Sequence, residues 1–176
     1  MMFGREVADM ALGYVIGLAR HLFEVDRGVR LDNAWPKPPG MSLAGKKVGV
    51  IGMGDIGRNV ITRLMACEMD VVAYDPGVEG DAGIAGLGRA TWPEQVEEMD
   101  FLVFTCALND HNFHMLDAAV LEKAKDGIRI VNVARGPLID EAALVNALKS
   151  GKVYSAALDV FEVEPLPAQS PLRDMP

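Results

Sequence analysis

"KKVGVIGMGDIGRNVITRLMA", Lys46 to Ala66, decides the fold. An apolar run, Val48 to Ile51, opens it, and a helical pattern from Ile56 closes it. Between them stand Gly52, Gly54 and Gly57. Glycines at this spacing are a weak signal alone. A strand directly before and a helix directly after strengthen it. The first glycine permits a tight turn, the second lets backbone approach a pyrophosphate, and the third lets helix pack on strand. Backbone at Asp55 and Ile56 then meets the phosphates at the positive end of the helix dipole. Asp55 also sets a carboxylate at that helix start. It is expected to cap the helix and to turn away from the phosphates.

The next strand supplies a partner. "VVAYDP" carries Asp75, 18 residues past Gly57. A carboxylate there accepts both hydroxyls of an adenosine ribose and repels a 2′-phosphate. No Arg follows within the next several residues. The pattern therefore predicts NAD rather than NADP as cofactor.

Working outward, apolar runs recur as "DVVAYD", "DFLVFTC", "IRIVNVA" and "VYSAALDV". Helical patterns lie between most of them: Ile56 to Met69, Trp92 to Glu98, Asp117 to Lys125 and Glu141 to Lys149. Thr91 and Glu94 have capping-box spacing for the second of these. Asp140 reads as the N-cap of the last, and Gly151 as its stop. "AGIAGLGRA" is read as holding one more short strand. Continuous apolar strands alternating with helices predict a doubly wound α/β unit, a parallel sheet covered on both faces. Ahead of it, Val7, Met10, Ala11, Tyr14, Val15, Leu18, Leu22 and Phe23 recur at three and four and predict one long helix, Glu6 to Arg27. Gly13 and Gly17 on that helix suggest close approach by a second helix or a second subunit. "DNAWPKPPGMSLAGKK" reads as a loop.

The bulk numbers bound the function. The chain has 176 residues, enough for one domain with a sizeable core, and half are hydrophobic. A net charge of −8 and a pI of about 4.8, with no basic run, argue against nucleic acid and against an anionic membrane surface. "ALGYVIGLA" is too short to span a bilayer, and Glu6 and Asp9 exclude a signal peptide's basic start. Cys67 and Cys106 lack metal-ligand spacing and read as reduced thiols of a cytoplasmic protein. No metal site is expected.

"VNVARGPLIDEAALVNALKSGKVYSAALDVFEVEP", Val131 to Pro165, adds chemistry. With the glycine motif it resembles the D-isomer-specific 2-hydroxyacid dehydrogenases, the family that includes phosphoglycerate dehydrogenase. The resemblance runs along essentially the whole chain. It implies a Rossmann fold, NAD as cofactor and a small 2-oxo or 2-hydroxy acid as substrate. It implies that Arg135 binds substrate, its guanidinium fork pairing a carboxylate and polarising a carbonyl. It implies that Asp159 holds the nicotinamide carboxamide. Glu164 matches the acidic partner of a catalytic His, whose pKa a neighbouring carboxylate raises. The long helix matches the family's interdomain and dimer helix, so a homodimer is expected.

Three departures from the family pattern stand out. The family's catalytic His follows the Glu by a few dozen residues, and the chain's histidines are His21, His111 and His114. These read as surface or packing residues, and Glu162 as a solvated charge. The sequence is thus expected to be one NAD-binding domain, residues 1–176, of a larger enzyme whose substrate domain lies elsewhere, with little or no turnover alone. In "TCALNDHN", Asn112 stands where the family's Thr contacts cofactor, and an amide there can still donate and accept. The rival reading is an NAD(H)-sensing module that controls assembly with a protein partner.

Overall fold

The computed structural model describes residues 4–175. Its centre is a six-stranded, all-parallel sheet. The strands are β1 (Lys47–Ile51), β2 (Asp70–Tyr74), β3 (Gly88–Arg89), β4 (Phe101–Phe104), β5 (Ile128–Asn132) and β6 (Val153–Leu158). They lie in the order β3-β2-β1-β4-β5-β6. The helices are α1 (Gly4–Arg20), α2 (Leu22–Arg30), α3 (Asp55–Ala66), α4 (Ala118–Lys123) and α5 (Glu141–Ser150). This is the strand order of a Rossmann fold, preceded by the N-terminal helix region.

The sheet is buried because its strands are apolar on both faces. Every residue of β4 and β5 is buried. Phe101 and Val103 face one way, into a core with Val48, Val50, α1 and α3. Leu102 and Phe104 face the other way, into a core with Ile130, α4 and α5. Each such side chain stabilises the fold by about 2 kcal/mol through area removed from water. Helix ends follow local chemistry. Asp117 and Asp140 accept the N–H groups of Val120 and Ala143 and start α4 and α5. Gly151, at φ 79°, stops α5.

Two helix expectations are corrected. The single helix over Glu6–Arg27 is two helices, because His21 takes a left-handed conformation, φ 56°, between α1 and α2. The turn folds the ring of Phe23 back over Gly17, where a side chain would collide with it. Gly17 thus serves a second helix, whereas Gly13 meets no neighbour within 4 Å. The helix expected over Trp92–Glu98 is a turn and one 3-10 turn, Val96–Glu98. The Glu94 carboxylate does accept the Thr91 N–H at 3.2 Å, but Gln95 at φ 61° closes the turn. α1 runs beside α3, tied to it by Asp9 and Arg63 at 2.7 Å.

Candidate functional site

In an open parallel sheet, ligands meet the carboxyl edge where strand order reverses. Here that point lies between β1 and β4. A cleft of about 750 Å³ opens there, lined by Gly52, Gly54, Asp75, Trp92, Thr105 and Cys106 among others.

The glycines divide into two kinds. Gly52 has φ 101°, and a Cβ on it would stand 2.7 Å from the Cα of Cys106. A Cβ on Gly57 would fall on the Gly52 carbonyl and stand 2.9 Å from Thr105 Oγ1. The fold itself therefore requires both. Gly54 differs: its φ is −69°, and no atom lies within 4 Å of its missing Cβ. Nothing in the protein demands a glycine there. The open volume adjoins the N-terminus of α3, where a phosphate would be received. The residues present thus fit a dinucleotide's pyrophosphate.

Gly54 is also the N-cap of α3, without a side-chain bond. Asp55, expected to cap, is instead the first residue of the helix. Its carboxylate reaches Asn59 Nδ2 at 3.4 Å and lies against Gly4 of α1, where a Cβ would displace it. Thr105 Oγ1 lies 2.9 and 3.0 Å from the carbonyls of Ile51 and Gly52 and fastens the loop to β4.

Asp75 ends β2 beside the loop. Its Oδ2 accepts the Met53 N–H at 2.7 Å and its Oδ1 the Gly77 N–H at 2.8 Å. Each oxygen keeps a lone pair for a further donor. Trp92 and Tyr74 meet edge to face, 5.3 Å between centroids, and floor the cleft. Burial, ahead of the Asp75 charge, pushes the Cys106 thiol up to about 11. Asn112 lines the cleft, but its amide is spent on the loop: Oδ1 accepts the Asn109 N–H and Nδ2 donates to the Ala107 carbonyl.

The remaining candidates sit at the ends of β5 and β6, on the same sheet edge. Asn132, 1% exposed, shapes the exit from β5. Its Oδ1 accepts the Ala134 N–H at 3.0 Å and its Nδ2 donates to the Arg135 carbonyl at 2.9 Å. Arg135 is thereby held exposed at the turn. Asp159 follows β6, its N–H bonded to the Asn132 carbonyl at 2.9 Å. The Tyr14 phenol has a raised pKa, first from burial and then from the Asp159 carboxylate beside it. Glu164 is exposed and accepts the Phe161 N–H at 3.0 Å. The β5 and β6 loops meet where Gly136 lets the Phe161–Glu162 backbone approach.

Glu162 is not the solvated charge expected. Its carboxylate accepts the Glu141 N–H at 2.9 Å, while Glu141 accepts the Glu162 N–H at 2.6 Å. His114 Nε2 stands 3.0 Å from Glu162 Oε1, an ion-pair distance without hydrogen-bond alignment. His114, Asp140 and Glu162 bring their ligand atoms within 4.8 Å of one another. Both carboxylates, however, already bind backbone N–H groups. His21 is buried against Glu24, and His111 lines the cleft.

Missed by sequence reasoning was Arg89. It enters the cleft from β3 and donates to the carbonyls of Asp75, Val78 and Gly80. The signal for it was the weak strand "AGIAGLGRA", which pairs Arg89 with Ala73 beside Asp75.

Sheet order, cleft and glycine turn define a dinucleotide-binding domain. Residues 12–176 match the model of the D-isomer specific 2-hydroxyacid dehydrogenase, NAD binding domain, and the chain belongs to that family. It is 40% identical over 162 residues to a hydroxypyruvate reductase of Thermotoga maritima, covering 90% of this chain and 52% of that protein. It is 37% identical over 168 residues to a D-3-phosphoglycerate dehydrogenase of Archaeoglobus fulgidus, covering 94% of this chain and 32% of that protein. Among solved structures, it resembles a D-isomer specific 2-hydroxyacid dehydrogenase from Xanthobacter autotrophicus Py2 in complex with NADPH and MES. That match has a TM-score of 0.87 and 32% identity, over 98% of this chain and 72% of that one. The chain thus spans about half the length of the first of these curated relatives and about a third of the second.

Proposed function

We propose that this domain binds NAD(H) in preference to NADP(H), within a larger protein that moves hydride between the cofactor and a small 2-oxo or 2-hydroxy acid. The observation that carries the reading is the open space at Gly54, in a turn whose other two glycines the fold explains by itself. Gly52, Gly54 and Gly57, with backbone at Asp55 and Ile56, would hold the pyrophosphate. Asp75 would accept the ribose hydroxyls and repel a 2′-phosphate. Asp159 would hold the carboxamide of the nicotinamide, which supplies the hydride. Asn112 would form the cleft wall through the loop that it closes.

Arg135, exposed on a turn that Asn132 fixes, would pair the substrate carboxylate and polarise the carbonyl. Glu164 would orient and charge an imidazole that gives the carbonyl oxygen its proton. His21, His111 and His114 have other surroundings, so that imidazole is assigned to the intact protein beyond these 176 residues. Residues 1–176 then act as one domain with little or no turnover alone. Among the described residues no helix is long and apolar enough to cross a membrane, and a cytoplasmic setting is proposed. Leu22, Phe23, Leu31 and Trp35 are exposed on and after α2 and favour a homodimer that covers them.

Two measurements test the reading. Titration of the 176-residue chain with NADH and NADPH should show tighter binding of NADH. The intact protein, assayed with NADH and a panel of 2-oxo acids, should reduce at least one. Binding of neither cofactor removes the domain's assigned role. Binding without reduction of any acid removes the enzyme and leaves a cofactor-sensing module.

A further inference from the structure

We propose that Arg89 sets the choice of cofactor by acting through Asp75. The inference rests on the reading that this cleft holds NAD(H). Arg89 lies on β3, at the far edge of the cleft from the catalytic candidates. Its guanidinium carries four Nη–H bonds, and the protein takes all four. Nη2 donates to the carbonyls of Asp75 at 2.7 Å and Val78 at 2.8 Å. Nη1 donates to the Gly80 carbonyl and to the Met53 sulfur, both at 2.9 Å. The Nε–H is buried and has no acceptor.

Two consequences follow. The loop from Asp75 to Gly80 is gathered around one rigid fork, and the fork also touches Met53 of the glycine turn. Asp75 is bonded to the same two places, by Oδ2 to the Met53 N–H and by Oδ1 to the Gly77 N–H. Its carboxylate is thereby aimed across the cleft before any ribose arrives, so little ordering remains to be done on binding. The second consequence concerns phosphate. Arg89 is the one lysine or arginine among the residues that line the cleft. It forms no ion pair with a carboxylate among the described residues. A free guanidinium in that position would welcome a 2′-phosphate. This one has no Nη–H to offer unless it releases the loop that positions Asp75, and its Nε–H is buried. The same residue thus favours the ribose diol and withholds itself from the phosphate.

The test is a double-mutant cycle on the 176-residue chain, with Arg89→Met, Asp75→Asn and the pair, each titrated with NADH and NADPH. Arg89→Met should weaken NADH by about tenfold, the scale of a lost charge-assisted contact. NADPH affinity should change by less than about twofold, since no phosphate contact is lost. In the Asp75→Asn background the same Arg89→Met change should leave NADH affinity nearly unaltered, which a general loss of stability would not produce. Arg89→Lys keeps the charge and three donors. It should restore part of the NADH affinity, and it serves as the test variant if Arg89→Met does not fold.

Unchanged NADH affinity in Arg89→Met, with wild type still preferring NADH, overturns the inference and leaves the NAD reading standing. A larger loss for NADPH than for NADH also overturns it, because Arg89 would then read phosphate. Equal effects of Arg89→Met with and without Asp75 reduce it to a structural residue and overturn it too. A wild type that does not discriminate removes the NAD preference, and the inference with it.

Discussion

Replacing Gly54 with Ala separates a cofactor cradle from a merely structural turn. The new methyl would enter space with no protein atom within 4 Å, on a backbone at φ −69° that any residue adopts. The folded protein therefore loses nothing to collision. Two smaller effects oppose each other. Ala is a poorer N-cap than Gly, and Ala lowers the entropy of the unfolded chain. Each is worth under about 1 kcal/mol. The melting temperature should stay within about 3 °C of wild type, given roughly 2–4 °C per kcal/mol at this size. Cofactor binding should not survive so well. The methyl occupies the volume a pyrophosphate would use, and crowding of that kind costs about 1–3 kcal/mol, or roughly 5- to 150-fold in affinity. Gly57→Ala is the contrasting control, since its methyl would land on the Gly52 carbonyl. It should lower stability by about 2 kcal/mol or more. Calorimetry gives the melting temperatures. Energy transfer from tryptophan to bound NADH gives the affinities, with Trp92 in the cleft wall as donor. A Gly54→Ala protein that binds NADH as wild type does would refute the cradle. One that melts far below wild type would show that the turn itself needs the glycine.

Three further outcomes follow from the same structure. Cys106, its thiol near 11, has about one thiolate per thousand molecules at pH 8. In a Cys67→Ser background it should alkylate roughly a hundredfold more slowly than a free thiol, and labelling within minutes would contradict the burial. Asp100 accepts the Lys47 N–H at 3.0 Å and pairs with Lys125 at 2.7 Å. Burial opposes its charge, but these partners prevail and hold its pKa below 3.8. Its folded pKa is thus depressed, so its stabilising contribution is present above about pH 4 and is lost as pH falls through the folded value. Asp100→Asn should melt lower than wild type at pH 7, with the gap closing below pH 4 in a pH series of thermal scans. A gap that persists at pH 2 would assign the effect to something other than that carboxylate. Asn132→Ala should cost about 1–3 kcal/mol by leaving the buried Ala134 N–H, and the part-buried Arg135 carbonyl, without the amide, read from urea unfolding. A loss under about 0.5 kcal/mol would mean that water replaces the amide.

The fold was legible wherever one residue type had one physical meaning. β4 and β5 are buried throughout, and their sequences are apolar without interruption. Asp140 and Gly151 bracket α5 as cap chemistry requires. The break at His21 was not legible, because the apolar periodicity of the first helix runs through it and neither Gly nor Pro marks it. The contacts that accompany it are packing contacts: the Phe23 ring returns over Gly17, and the His21 imidazole meets the Tyr154 ring of β6 edge to face at 5.5 Å. Gln95 repeats the lesson on a smaller scale. Thr91 and Glu94 do make the capping contact their spacing promises, and the chain still turns away from a helix one residue later.

The site divides along the same line. The placement of Gly52 and Asp75 at the cleft, and the close approach of Gly57 to Gly52, could be read in advance because a strand, a turn and a helix close in sequence fix their geometry. Arg89 and Glu162 could not, because each acts on partners brought by a different loop. Arg89 reaches Asp75 only through the pairing of β2 with β3, and Glu162 meets Glu141 across 21 residues of chain. Both contacts do the same thing. They fix a loop at the carboxyl edge of the sheet, the 75–80 loop in one case and the 159–165 loop in the other. Local sequence thus specifies which groups can touch a cofactor or an acid, while long-range contacts decide how firmly those groups are held. Preorganisation of this kind reduces the ordering left to be done on binding. Selectivity between NADH and NADPH should therefore respond to Arg89, a residue whose four Nη–H groups are all given to the protein.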